Sequence, residues 1–228
     1  MGVVPAGPYD LVIRAPRVVS EGRIAGRTIA IAGGQIAAVE PLDRAAPARA
    51  VLEFGPDVVV LPGLVDSHVH VCEPGNTGWE GFGTATRAAA AGGITTLVDM
   101  PLDSVPTTIS VEALQAKHAA AEGRCYVDVG FWGGVVPSNL GELALLHEAG
   151  VLGFKCFLAD SGSDDFPPVS AGQMAKALSV LRGLGSPLLI HAESAEAVAA
   201  IGGGERPPVR RLPRITPPGE WRTWPWCR

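Results

Sequence analysis

From residue 62 to residue 201, short apolar runs alternate with alanine- and leucine-rich stretches of helical length, which predicts an α/β fold. The apolar runs are nearly unbroken, as the strands of a parallel sheet covered by helices require. Polar residues able to do chemistry stand at the ends of those runs, where a parallel barrel places its reactive groups. The leading architecture is therefore a (β/α)8 barrel of the TIM type, of which about five βα units are present, with a doubly wound sheet as the alternative.

Residues 1–61 read differently. Strands are expected at residues 10–13, 17–19, 28–32, 35–39 and 58–60, punctuated by Gly22, Gly26 and Gly33-Gly34. β-Branched residues and turn glycines at this spacing indicate a small β module, the N-terminal part of a β-sandwich. The barrel part, residues 62–201, opens with a strand at 64–70. It continues through helix 80–91, strand 94–100, helix 111–121, strand 125–132, helix 140–149, strand 151–158, helix 171–184 and strand 187–192, and ends in a helical stretch at 195–200.

After Ile201 the composition changes abruptly. Residues 202–228 carry six arginines and three tryptophans against two acids, and neither a helical nor a strand period fits them. A basic, aromatic interaction tail is one reading. A shifted reading frame or a misassembled gene end explains the change more simply, which makes the chain truncated at its C-terminus.

The 228 residues are 47% hydrophobic and 18% charged, too apolar for a disordered chain. A net charge of −5 gives no general attraction to phosphate backbones, so no nucleic-acid partner is expected. No apolar run reaches membrane-spanning length, and Met1-Gly2-Val3-Val4-Pro5-Ala6 lacks the pattern of a leader. A cytoplasmic protein with no membrane partner is expected. Cys72, Cys125, Cys156 and Cys227 form no C-x-x-C pair and read as buried thiols.

The chemistry concentrates at strand ends. His68 and His70 follow an apolar run, so two imidazoles two residues apart at the end of a buried strand converge on one point. By spacing alone, two satisfied or exposed histidines are as good a reading as a metal pair. Asp99 ends the second strand, Lys155 lies in the fourth, and His191-Ala192-Glu193 ends the fifth. Lys155 is one of three lysines, flanked by Gly153-Phe154 and Cys156-Phe157-Leu158. Desolvation of its ammonium lowers the pKa and makes the neutral amine accessible for carbamate formation with carbon dioxide. Taken alone, pairing with a carboxylate is the simpler reading, and a Schiff-base lysine is another. Glu193 shares a face with His191 and either orients it or caps the following helix. Jointly, three histidines and a buried lysine at strand ends suit a hydrolytic metal centre.

With these residues the chain resembles the cyclic amidohydrolases, and among them most closely the allantoinases. The resemblance rests on Pro62-Gly63-Leu64-Val65-Asp66-Ser67-His68-Val69-His70, on Pro74-Gly75-Asn76-Thr77-Gly78-Trp79-Glu80-Gly81-Phe82, on residues 88–93 with Ile94-Thr95-Thr96, on Asp99-Met100-Pro101-Leu102-Asp103-Ser104, and on Gly153-Phe154-Lys155-Cys156-Phe157. It implies that His68 and His70 bind one divalent metal ion, that Lys155, modified to a carbamate by carbon dioxide, bridges two, and that His191 binds the second. Zinc is the foremost candidate, although such ligands also suit Mn, Co and Fe. It further implies hydrolysis of the cyclic amide of a small molecule, allantoin to allantoate in purine catabolism, by a homo-oligomer when full length. A hydantoinase or dihydropyrimidinase-like activity, or a non-catalytic fragment, is the alternative.

Two departures from the family pattern matter. Dihydroorotases carry an Arg two residues after the second histidine to hold a substrate carboxylate. Cys72 stands there instead, which favours a neutral ring, and Asp103 stands where Asn is expected. The family's further metal-binding histidine on the sixth strand and its general-base aspartate on the eighth have no counterpart here. The catalytic base is thus unassigned, and activity of this exact chain is expected to be impaired.

Overall fold

The computed structural model describes residues 8–194 together with 196, 197 and 200. The tail at 202–228, Cys227 and most of the helix expected at 195–200 lie outside the described residues. The N-terminal module is one four-stranded sheet of order β3-β2-β1-β4, formed by β1 (Tyr9–Ser20), β2 (Arg23–Ala32), β3 (Gln35–Pro41) and β4 (Ala48–Glu53). A second sandwich layer is not found among the described residues. The strands expected at 10–13 and 17–19 are one strand, because a bulge between Ala15 and Val18 absorbs the polar break without interrupting pairing to β2. Residues 58–60 form only an isolated bridge, Val18 to Val60, and β4 was not expected at all.

The barrel part consists of β5 (Leu64–Val69), α1 (Phe82–Ala91), β6 (Ile94–Asp99), α2 (Val111–Ala121), β7 (Asp128–Phe131), β8 (Gly133–Gly134), α3 (Leu143–Glu148), β9 (Phe154–Phe157), α4 (Ala171–Leu184) and β10 (Leu188–His191). The strand expected at 125–132 is therefore divided. Its first part, β7, pairs in parallel with β6, and its continuation, β8, pairs in parallel with β9, so the chain passes from one neighbour to the other at Trp132. Counting that stretch as one strand, the order runs β5, β6, β7/β8, β9, β10, all parallel and in sequence. A doubly wound sheet reverses its order at a switch point. The sequential order excludes it, and the fold is of the (β/α)8-barrel type, with five parallel strands and the four helices between them among the described residues.

Local sequence explains the helices. Ser110 caps α2 by accepting from the Ala113 N–H at 3.2 Å, and Ser170 and Gln173 form a reciprocal capping box at the start of α4. Buried Glu73 accepts from the Phe82 N–H at 2.9 Å and so closes the N-terminus of α1. Phe82, Leu114, Phe131, Leu143, Leu146, Phe154 and Leu181 pack the helices onto the sheet.

One expectation about burial needs correction. The first barrel strand is not buried: Leu64 and Val65 are 53% and 64% exposed, because among the described residues β5 has a hydrogen-bonded neighbour only in β6. An apolar run reveals what a strand can bury, and a neighbour on both sides decides whether it does.

Candidate metal centre

Because the strands are parallel, His68, His70, Phe157 and His191 all arrive at the same end of the sheet. His68 and His70 lie with ring centroids 5.3 Å apart. Register places Lys155 of β9 between Gly134 and Leu189, and Phe157 opposite His191. Residues 155 and 157 share a face by strand alternation. The Lys155 Nζ sits 4.8 Å from the centre of the Phe157 ring, and the His191 imidazole stacks on the same ring at 4.8 Å and 13°. Phe157 is thus an apolar floor beneath two of the expected ligands, a role that sequence reasoning missed. The signal was its i+2 spacing from Lys155.

Lys155 is 5% exposed and has no carboxylate partner among the described residues, so the ion-pair reading does not hold there. Burial lowers its pKa from the ordinary lysine value. Burial also lowers the pKa of His68, and His70, Lys155 and His191 are near enough to lower it further, against an opposing pull from Asp66. Burial thus makes the neutral forms of Lys155 and His68 easier to reach. Neutral imidazoles and a neutral amine are the forms that bind metals and carbon dioxide.

Two carboxylates orient the histidines. The Nδ1 of His70 meets Asp103 Oδ2 at 2.6 Å, and the Nε2 of His191 meets Glu193 Oε1 at 2.9 Å. Cys72 is buried next to this region. Its thiol is pushed up by burial and by Asp103, Asp99 and Glu80, so it stays a neutral thiol rather than a thiolate.

Asp99 does not join the site. It is fully buried, accepts from the Lys117 ammonium at 2.7 Å and from the Val71 N–H at 2.7 Å, and so faces helix α2. Its effect on the site is indirect, because Val71 follows His70. Lys117 was invisible as a functional residue in a sequence where α2 reads as an ordinary surface helix.

Among the described residues no three His, Cys, Asp or Glu side chains are gathered closely enough to hold a metal ion by themselves. The donor chemistry of His68, His70, His191 and the unpaired buried amine of Lys155 nevertheless fits a centre in which the lysine supplies the anionic ligand. No helix of the described residues is long and apolar enough to cross a membrane.

The fold and motifs have known relatives. An allantoinase of Streptomyces avermitilis is 49% identical over 207 residues, covering 91% of this chain and 45% of that protein. A mitochondrial allantoinase of Aquarana catesbeiana is 49% identical over 193 residues, covering 85% and 40%. Among solved structures, an L-hydantoinase (dihydropyrimidinase) from Arthrobacter aurescens matches with a TM-score of 0.79 at 31% identity, over 86% of this chain and 45% of that one. The chain spans less than half the length of these curated relatives. The Amidohydrolase family pattern covers residues 59–215, from ahead of the first barrel strand to beyond His191, and this chain belongs to that family of hydrolases.

Proposed function

We propose that this chain carries the metal-binding part of an allantoinase, which opens the cyclic amide of allantoin's hydantoin ring to give allantoate. The observation that carries this reading is Lys155, buried without a carboxylate partner among the described residues and sharing the Phe157 ring with His191. Its neutral amine adds to carbon dioxide, forming an N–C bond and releasing one proton, and the product is a carboxylate on a long arm. In this reading His68 and His70 would hold one zinc ion, His191 would hold a second, and Lys155, as its carbamate, would be a ligand to both. When bound, the ions lower the pKa of water and polarise a carbonyl. Glu193 and the Phe157 floor fix the His191 ring.

Identity favours allantoin over hydantoin as substrate, since the allantoinases match at 49% and the hydantoinase structure at 31%. The substrate is a small molecule, and we place the enzyme in the cytoplasm as a homo-oligomer. The free thiols of Cys72, Cys125 and Cys156 suit a reducing compartment. The test joins residues 9–200 of this chain to the C-terminal part of the Streptomyces avermitilis relative and compares allantoin with hydantoin and dihydrouracil. Turnover of allantoin above both supports the proposal, and a preference for hydantoin overturns it.

A second expectation follows from Cys72. A neutral thiol offers no charge to a substrate carboxylate, and a hydrogen bond to a charged group contributes about 1.5–3 kcal/mol. In the same joined protein, kcat/KM for allantoin should exceed that for dihydroorotate by at least ~10-fold. Equal or faster hydrolysis of dihydroorotate would refute the assignment.

A further inference from the structure

We propose that Asp103 is a positioning residue that fixes the tautomer and orientation of His70. The proposal rests on the metal-centre reading above. Asp103 has φ +71°, in the left-handed region that Asp and Asn tolerate better than other side chains bearing a Cβ. Strain of this kind persists where the surrounding chain over-determines it. The loop supplies that constraint: Met100, Leu102 and Ser104 are buried, the Thr108 N–H bonds to the Pro101 carbonyl at 2.7 Å, and the Val105 N–H bonds to the Pro74 carbonyl at 2.8 Å. The last of these bonds ties the loop after β6 to the loop after β5, on which His70 stands. With its buried neighbours anchored, the left-handed turn at residue 103 delivers the carboxylate to the His70 Nδ1 at 2.6 Å.

The consequence concerns which nitrogen is free. A carboxylate accepts only, so the His70 Nδ1 must donate, and in the neutral ring Nε2 then carries no proton and is available as a ligand. A carboxylate on the far nitrogen also strengthens the imidazole as a donor. Asp103 thus does for His70 what Glu193 does for His191, placing a carboxylate on one nitrogen of the ring.

The experiment uses the 228-residue chain labelled with 15N-histidine, its His70 signals assigned by their loss in His70→Gln. Two-bond 1H–15N spectra at pH 8 read the tautomer, and competition with a chromophoric chelator reads zinc affinity. The wild-type chain should show the Nδ1–H tautomer at His70, and Asp103→Asn, whose side-chain carbonyl still accepts, should keep it with zinc affinity within a few-fold. Asp103→Gly relaxes the left-handed backbone and removes the acceptor. It should stay folded, shift His70 toward the Nε2–H tautomer and weaken zinc binding by ~10–100-fold. A folded Asp103→Gly chain with unchanged tautomer and affinity overturns the proposal. So does an Nε2–H tautomer in the wild type, whatever the variants do. A wild-type chain with the Nδ1–H tautomer that takes up no zinc overturns the metal-centre reading and this proposal with it, while leaving the hydrogen bond intact.

Discussion

Lys117→Met is expected to destabilise the chain by about 3–5 kcal/mol, the usual consequence of removing one partner from a buried ion pair. Lys117 and Asp99 are 1% and 0% exposed, joined at 2.7 Å, and the ammonium also donates to the Met100 carbonyl at 3.0 Å. Methionine fills the volume but leaves the Asp99 carboxylate in an apolar interior. Burial already pushes the Asp99 carboxyl up, opposed by the Lys117 charge and by the Lys117 and Val71 hydrogen bonds. Without Lys117 the folded-state pKa rises further above the unfolded value. The ionised form is then the costly one, so the penalty is full above that raised folded-state pKa and shrinks as pH falls from there toward the unfolded value. Urea denaturation of the variant at pH 7 and pH 5 checks both the size and the direction. Asp99→Asn combined with Lys117→Met should recover much of the loss, because the amide oxygen still accepts from Val71 and no charge is buried. A single variant as stable as the wild type would show that the pair does not hold α2 and the loop after His70 together.

Lys155→Ala is expected to abolish most zinc binding, a larger loss than the ~10–100-fold caused by removing an outer hydrogen-bond partner of a ligand. In the proposed centre an imidazole ligand from His68, His70 or His191 would bring no negative charge, and only the lysine carbamate would supply one to the cations. The same residue weighs against the metal-free fold. Its lowered pKa means that the charged form is disfavoured on folding, so its penalty is present at neutral pH and fades as pH rises toward the unfolded lysine value. Lys155→Met should therefore make the zinc-free chain more stable at pH 7 while losing zinc. A residue kept for packing would show the opposite sign in the melting temperature. Undiminished zinc content in either variant would remove Lys155 from the centre.

The barrel pattern was legible because parallel strands between helices leave a strong apolar signature, and β6, α2, β9 and α4 fall where the sequence places them. What the sequence hid was partnership. Trp132, where the third strand changes neighbours, carries no local mark, and its Nε1–H reaches back to the Ser67 carbonyl at 2.9 Å. β4 was missed because Ala48-Arg49-Ala50-Val51 lies in an alanine- and proline-rich stretch and gains its order from parallel pairing with β1. At the site, residue types at strand ends gave the histidines and the lysine, but not the direction of Asp99, which depends on a lysine eighteen residues away on a helix. Asp103 was visible only as a departure from a motif, since its role depends on a backbone turn that side-chain patterns do not encode.

On the proposed reading Lys155 forms a carbamate within a centre made with His68, His70 and His191. The most direct measurement is 13C NMR of the chain in zinc and 13C-bicarbonate. One carbamate resonance is expected, which disappears when zinc is removed by a chelator and is absent from Lys155→Arg. Bound zinc without that resonance, or a resonance that persists in Lys155→Arg, would contradict it.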